Sequence, residues 1–287
     1  MKEDQTPKNN NADPIIFIGT GRCGSTLIFG IISHHEQLAW PPNFTDQRPY
    51  LPVELNLARR IFPKAFKPAE NFKLWNKLTP SKINFRRDFL VQERTTKKEA
   101  DKIRNYFFKV TKYQGKKRLA FKITGPSRIG YLKSIFPNAV FIQIIRDPLP
   151  TISSWINVSF WKERGMHQLW WRGAYTSEEQ QWAVANKNNP VLLAALQYKK
   201  IMEVTNKEVK DNNVQCLTVK YEDFIQNPKK EIGRILSFSN LNSSPFIDEY
   251  LKEVKIFNSS KDIKKSFTEE DIINVDKIIN GDYSYTL

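Results

Sequence analysis

The chain has 287 residues, with 45 lysines and arginines against 30 aspartates and glutamates, which gives a formal net charge of +15. Apolar residues make up 40% and charged residues 26%, ordinary values for a globular protein that exclude disorder along the whole chain. Two cysteines exclude a small disulfide-rich scaffold, and no run approaches the roughly 18 apolar residues that a membrane span needs.

The chain opens with a polar segment, a strand, a glycine-rich turn and a helix. Residues 1–13 have no apolar periodicity and are predicted to form a disordered tail, followed by one domain over residues 14–287. The run from Ile15 to Ile18 is short, apolar and β-branched, as is typical of a buried parallel strand. Glycines at 19–24 and a predicted helix at 25–33 complete the order of a phosphate-binding βα unit.

The rest of the chain alternates between predicted strands and helices. Seven prolines divide residues 41–118 into short pieces, which we predict to be helices and loops lying over a sheet. Buried strands are predicted at 119–123, 139–145 and 214–219. Helices are predicted at 128–136, 151–161, 190–210 and 229–237. The pattern predicts the α/β class, with a central, mainly parallel sheet flanked by helices.

The glycine-rich turn is the first candidate binding site. Gly19 and Gly24 have the spacing of a nucleotide-binding P-loop, whose backbone N–H groups and following helix bind an anion. Nucleoside triphosphatases place a lysine directly after the second glycine, but this chain has Ser25 there, which disfavours hydrolysis of ATP or GTP. Arg22 supplies positive charge instead, and Cys23 is interpreted as a small residue that fills the loop. A turn that only packs strand against helix is the alternative.

Three motifs within residues 15–240 resemble those of the sulfotransferases that use 3′-phosphoadenosine 5′-phosphosulfate (PAPS), and they follow the same order along the chain: the glycine-rich turn, the strand end at Arg146 and the strand end at Tyr221. Arg146 ends a predicted strand and Ser154 follows eight residues later, which resembles their 3′-phosphate motif. Tyr221, with the Glu-Asp pair after it, resembles an element that follows a later strand. The glycine-rich turn resembles their 5′-phosphosulfate loop through Gly21, Arg22, Cys23, Gly24, Ser25 and Thr26.

The resemblance implies a P-loop-like fold related to that of nucleotide kinases, with PAPS as the donor, 3′,5′-bisphosphoadenosine (PAP) as the product and no metal. It places the 5′ end of the nucleotide on the glycine-rich turn and the 3′-phosphate on Arg146 and Ser154. Arg22 and Lys122 are implied as the cations that stabilise the leaving phosphate.

The catalytic base does not follow from the resemblance. Cytosolic sulfotransferases place a histidine two residues after the lysine that Lys122 matches, and this chain has Thr124 there. Tyrosyl-protein sulfotransferases use a glutamate about twenty residues beyond the loop arginine, where this chain has no carboxylate. Asp46 is the preferred candidate, and the alternatives are His34, His35 and Glu54.

The sequence is compatible with several classes of acceptor. Trp170 and Trp171 lie in a polar, irregular stretch, where they are candidates for stacking a carbohydrate or an extended organic molecule, with core packing as the alternative. We expect a glycan, lipid or small-molecule acceptor with a hydroxyl or amine, no specific nucleic acid and no transmembrane segment. The expected location is cytoplasmic, and the oligomeric state is not predicted.

Three other functions remain possible on the sequence. One is a P-loop kinase or nucleotidase, and another is a basic protein that binds nucleic acid without catalysis. The third is a sulfotransferase fold that binds the nucleotide without turnover. The basic charge favours an anionic partner in each case, but a composition rich in lysine, asparagine and isoleucine, as AT-biased genomes produce, also accounts for it.

Overall fold

A five-stranded parallel sheet forms the centre of the part of the chain that this computed structural model describes, which is residues 12–256, 267–283 and 285. The order of the strands across the sheet is β2-β3-β1-β4-β5. The strands are β1 (Ala12–Gly19), β2 (Leu38–Ala39), β3 (Arg118–Thr124), β4 (Val140–Ile145) and β5 (Cys216–Lys220). The sheet confirms the predicted fold class. The tail predicted at 1–13 lies outside the described residues up to residue 11, and β1 already includes residues 12 and 13.

Helices fill most of the remaining described chain. The first seven are α1 (Ser25–Ile32), α2 (Asn43–Gln47), α3 (Leu57–Ile61), α4 (Phe72–Leu78), α5 (Lys97–Tyr113), α6 (Ile129–Ile135) and α7 (Pro148–Ile156). The others are α8 (Ser159–Lys162), α9 (Ser177–Ala185), α10 (Pro190–Asp211), α11 (Tyr221–Gln226), α12 (Pro228–Phe238), α13 (Pro245–Glu253) and α14 (Glu269–Asn280). Short 3-10 helices span Val53–Asn56 and Pro63–Ala65. None of the described helices is long and apolar enough to cross a membrane.

The sheet separates two apolar clusters, because successive side chains of a strand point to opposite faces. Ile15 and Phe17 of β1 pack with α1 and α12 in one cluster. Ile16 and Ile18 pack with α4, α5 and α6 in the other. A third cluster, rich in tryptophan, joins α7, α9, α10 and α14 beside the sheet. Both faces of β1 are therefore buried, which explains why its sequence is continuously apolar.

The strand register aligns four strand ends at one edge of the sheet. Gly19 at the end of β1 pairs with Thr124 of β3 on one side and with Ile144 of β4 on the other. Ile145 of β4 pairs with Lys220 of β5. The loops that follow these strands carry the glycine-rich turn, Arg146 and Tyr221, so the parallel register brings motifs that are distant in sequence to one place.

Two predicted elements end differently in the structure. The helix predicted at 151–161 ends at Ile156, and α8 begins separately at Ser159. Tyr221 begins α11 directly after β5, where the sequence indicated only a strand end. The proline-rich stretch contains helices, as predicted, and among them is the 17-residue helix α5, which starts with a capping box formed by Thr96 and Glu99.

The glycine-rich turn is held in a conformation that favours glycine. Gly24, the residue before α1, has a φ of 87°, and a Cβ atom there would lie 2.1 Å from Cδ2 of the Tyr221 ring. Gly30 lies in α1 itself, and a Cβ atom there would meet nothing within 4 Å. A side chain at Gly24 would therefore have an unfavourable φ angle and no room, whereas a side chain at Gly30 would meet neither obstacle.

We expect Gly24→Ala to lower the free energy of unfolding by about 1–3 kcal/mol, because the methyl group must displace Tyr221 and strains the backbone. Gly30→Ala in the same helix should leave stability unchanged or raise it by up to about 1 kcal/mol. Urea denaturation followed by circular dichroism measures both. Equal effects of the two substitutions would show that the contact between Gly24 and Tyr221 does not constrain the turn.

Candidate functional site

A cleft of about 970 Å³ lies at the aligned strand ends. This volume is at the upper end of the range for small-molecule sites and can hold a nucleotide with a second molecule. Its described lining contains one carboxylate, that of Glu70, and five cationic side chains, those of Arg22, Arg86, Lys122, Arg146 and Arg164. So unequal a charge distribution favours an anionic ligand.

The glycine-rich turn forms one wall of the cleft. Gly21, Arg22 and Gly24 all have positive φ angles, which turn the chain sharply between β1 and α1. No side chain caps the N-terminus of α1, and Ser25 and Thr26 of its first turn line the cleft. The N–H groups of a first helical turn have no partner within the helix, so this helix end can donate hydrogen bonds to an anion.

Arg146 lies at the end of β4 and is 7% exposed. Its Nη1 donates a hydrogen bond to the carbonyl oxygen of Arg22 over 3.1 Å, and its guanidinium lies 4.9 Å from the centre of the Tyr221 ring. Its own carbonyl oxygen accepts a hydrogen bond of 2.7 Å from the hydroxyl of Tyr198. These contacts fix the arginine at the cleft wall, where a guanidinium can bind a phosphate through two hydrogen bonds.

Arg22 connects the glycine-rich turn to α7. Its Nε donates a hydrogen bond of 2.9 Å to the hydroxyl oxygen of Ser154, which also lines the cleft. Asp147 begins α7 by accepting a hydrogen bond of 3.0 Å from the backbone N–H of Leu149. The two motifs that resemble the 5′ and 3′ sites are therefore in direct contact, and Tyr221 of the third motif lies against both Gly24 and Arg146.

Lys122 reaches the cleft from β3 and is 7% exposed. Its Nζ donates a hydrogen bond of 2.8 Å to the Thr26 hydroxyl and lies 3.7 Å from Oε1 of Glu70. The hydroxyl of Thr124, two residues further along β3, also donates to Oε1 of Glu70. A cation, a carboxylate and two hydroxyls thus form one network at the start of α1.

Glu70 was not recognised in the sequence. It precedes Asn71, a buried residue with a φ of 56° whose side chain donates a hydrogen bond of 2.9 Å to the carbonyl oxygen of Pro41. Asn71 also accepts a hydrogen bond from the Thr45 hydroxyl. These contacts hold the segment before α4 across the strand ends. No local pattern around Glu70 marks it, because its site depends on pairing with segments far away in the chain.

The bases predicted from sequence lie outside the cleft lining. Asp46 accepts a hydrogen bond of 2.9 Å from the backbone N–H of Lys73, which caps the start of α4. Glu54 accepts one of 3.2 Å from the Tyr113 hydroxyl on the protein surface. The structure therefore gives the preferred candidate, Asp46, a capping contact instead of a place beside Lys122.

His34 and His35, the alternative bases, follow the C-terminal end of α1, and this helix is about 12 Å long. His34 stacks on Tyr250 with ring centres 3.7 Å apart, and buried His35 lies 3.1 Å from the carbonyl oxygen of Asn242. Cys23 is fully buried in the core below the turn, so only its backbone can contact a ligand. Among the described residues, no group of histidine, cysteine, aspartate and glutamate side chains has the arrangement of a metal site.

Tryptophans form a further part of the cleft wall, with Nε1 of Trp155 close to Gly21 of the turn. Trp155 lies with its ring centre 4.9 Å from that of Trp161 and 5.5 Å from that of Trp171. All three are buried and line the cleft, whereas Trp170 is partly exposed beneath Arg87. Trp182 packs against Tyr283 in the core and does not line the cleft. Core packing and cleft lining are therefore combined in the same cluster.

Arg86 and Arg164 line the end of the cleft near Glu70. The Arg86 guanidinium lies 6.0 Å from the ring centre of Phe72, and that of Arg164 lies 4.8 Å from Phe160. Burial lowers the pKa of Arg164, and the positive charge of Arg86 lowers that pKa further, while Glu163 and Glu70 act in the opposite direction. The two guanidinium groups are thus close enough to repel each other.

Two solved structures with the same fold are sulfotransferases. Sulfotransferase STF9 from Mycobacterium avium matches with a TM-score of 0.57 and 14% identity, covering 96% of this chain and 78% of that one. The sulfotransferase domain from the curacin biosynthetic pathway matches with a TM-score of 0.54 and 15% identity, covering 94% of this chain and 97% of that one. At such identities the likeness shows the fold alone, which is the P-loop-like fold that the sequence predicted.

A comparison with curated protein sequences finds no match. The profile of the sulfotransferase family matches residues 14–245, which is most of the chain and includes the glycine-rich turn, Arg146 and Tyr221. The chain therefore belongs to the sulfotransferase family.

Proposed function

We propose that this sulfotransferase uses PAPS to sulfate a hydroxyl or amine of a small-molecule or glycan acceptor. The observation that carries the proposal is the presence of two cation–hydroxyl sets in one cleft. Arg146 and Ser154 form one set. Arg22, Lys122 and Thr26 form the other at the N-terminus of α1, and Arg22 connects the two through its hydrogen bond to Ser154. PAPS has two separated anionic groups, and each set suits one of them.

The residues of the cleft fit a nucleotide with phosphates at both ends. Arg146 and Ser154 would bind the 3′-phosphate, with the guanidinium held in place by Tyr221 and by the Arg22 carbonyl. Backbone N–H groups of the glycine-rich turn, with Ser25 and Thr26, would bind the 5′ end. Ser25 stands where a triphosphatase has lysine, which argues against ATP or GTP turnover.

When bound, PAPS supplies the activated sulfuryl group, and PAP leaves through its 5′-phosphate. Lys122 and Arg22 would stabilise the negative charge that grows on that phosphate in the transition state. Lys122 is nearly buried, so its charge acts in a medium of lower dielectric constant than water and its effect is stronger. The N-terminus of α1 adds its partial positive charge in the same direction.

We propose Glu70 as the general base in place of Asp46. Thr124, which stands where cytosolic sulfotransferases have the catalytic histidine, donates its hydroxyl to Glu70. The carboxylate therefore lies at the expected place although it comes from another segment. Its side chain is 27% exposed, so an acceptor that enters the cleft can reach it, and Lys122 at 3.7 Å connects it to the leaving-group side.

Arg146→Ala should weaken PAP binding by about 1.5–3 kcal/mol, or roughly tenfold to 150-fold, because the 3′-phosphate loses a charged partner. AMP lacks that phosphate and should bind weakly to the wild type and to the variant alike. Isothermal titration calorimetry measures both nucleotides. Equal binding of AMP and PAP to the wild type would contradict the assignment of Arg146 and Ser154.

Arg22→Ala and Lys122→Ala should lower turnover by about 10²-fold or more, because leaving-group charge is greatest in the transition state. PAP affinity should fall less than turnover. Transfer of label from radioactive PAPS into a metabolite extract measures the rate, with Lys102→Ala, an exposed substitution on α5 outside the cleft, as the control. Variants that lose nucleotide affinity with normal turnover at saturation would instead assign both residues to ground-state binding.

Glu70→Gln keeps the shape of the side chain and removes its basicity, so turnover should fall about 10²-fold or more while PAP affinity stays unchanged. Asp46→Asn should reduce turnover less than about threefold, since Asp46 only caps α4. The same labelled-PAPS assay compares the two variants. A large loss in Asp46→Asn with normal turnover in Glu70→Gln would return the base to Asp46.

A further inference from the structure

Arg86 and Arg164 are cleft arginines whose side chains have neither an ion pair nor a hydrogen bond within the part of the chain that the structure describes. Arg22 and Lys122 are engaged by Ser154, Thr26 and Glu70. Arg86 and Arg164 form no ion pair with any described carboxylate, although both line the cleft. By contrast, Arg172 nearby is paired with Asp88 over 2.5 Å. The cleft therefore contains two guanidinium groups with which a bound anion can pair.

Both arginines lie beside residues that the proposed function assigns to the acceptor. Arg86 lies over Phe72, two residues after the proposed base Glu70. Arg164 lies over Phe160 and, with 5.6 Å between its guanidinium and the ring centre, over Trp170. The interaction of Arg164 with Arg86 and with Glu70 places these charges in one neighbourhood. Arg146 and Ser154, proposed to bind the nucleotide, belong to other elements, the end of β4 and α7.

Two like charges brought together beside apolar rings destabilise the protein unless an anion joins them. Both guanidinium groups are half-buried, so water screens their repulsion only partly. A guanidinium binds a carboxylate or a similar oxyanion through two parallel hydrogen bonds, and two guanidinium groups can share one anion. Phe72 and Trp170 also line the cleft, so parts of their rings can contact the body of the molecule that carries the anion.

We propose that the acceptor is itself an anion, whose carboxylate or similar oxyanion pairs with Arg86 and Arg164 while its apolar body lies on Phe72 and Trp170. The inference rests on the proposed function and adds the chemical class of the acceptor. It also assigns a selective role: the pair would hold the acceptor so that its hydroxyl or amine faces Glu70.

The test uses two probes that differ in one charge, 6-hydroxy-2-naphthoate and 2-naphthol. Their binding to the protein saturated with PAP is measured through quenching of tryptophan fluorescence. The wild type should bind the carboxylate at least about tenfold more tightly than the neutral probe. The double variant Arg86→Gln/Arg164→Gln should reduce this preference below about threefold and leave binding of the neutral probe unchanged. Arg48→Gln, an exposed arginine outside the cleft lining, is the matched control and should keep the preference.

Equal binding of the two probes, binding of neither, or a preference that survives the double variant would overturn the inference. PAP affinity is measured in the same proteins and should be unchanged by the double variant. A double variant that loses PAP affinity as strongly as Arg146→Ala would assign the pair to the nucleotide and also overturn the inference. Failure of the wild type to bind PAP, with the carboxylate preference intact, would instead overturn the proposed function and leave the anion site standing.

Discussion

The hydrogen bond from Arg146 to the carbonyl oxygen of Arg22 joins the end of β4 to the turn after β1. It orients a nearly buried cation, and it holds a turn whose positive φ angles would otherwise be unfavourable for Arg22. Tyr221 packs against Arg146 and against Gly24 of the turn, so three loops that follow three strands support each other. The binding surface of the cleft depends on this junction, because each loop contacts the other two.

The parallel sheet brings the three loops of this junction together at one edge. Parallel pairing with aligned ends requires the connecting helices to return to the opposite edge, so each strand delivers its next residues to the same place. The central strand, β1, is packed on both faces, and this packing supports the glycine-rich turn that follows it. The charges are placed on rigid elements, with Arg146 and Lys122 at or near strand ends. Such preorganised charges need little rearrangement when a ligand binds.

The acceptor end is built in another way. Glu70 and Phe72 come from the segment around the start of α4, and Arg164 and Trp170 come from the irregular chain after α7. Asn71 fixes the first segment through hydrogen bonds to the chain near residue 41, and stacked tryptophans fix the second. These contacts are separate from those that hold Arg146 and the glycine-rich turn.

The sequence by itself determined the fold class, the main strands and the positions of the glycine-rich turn, Arg146 and Tyr221 at strand ends, because these depend on local patterns. Continuous apolar runs predicted β1, β3 and β4 within a few residues, and the glycine spacing located the turn. The tertiary structure alone decided which carboxylate lies beside Lys122. No local pattern in the sequence distinguishes Glu70 from Asp46 as a candidate base. In the structure, Asp46 accepts a hydrogen bond from the backbone N–H of Lys73 at the start of α4. Glu70 lies at the strand ends, where it accepts a hydrogen bond from Thr124 and where Asn71 holds its segment in place. Such pairings between distant segments follow from how the chain packs, and no spacing along the sequence encodes them.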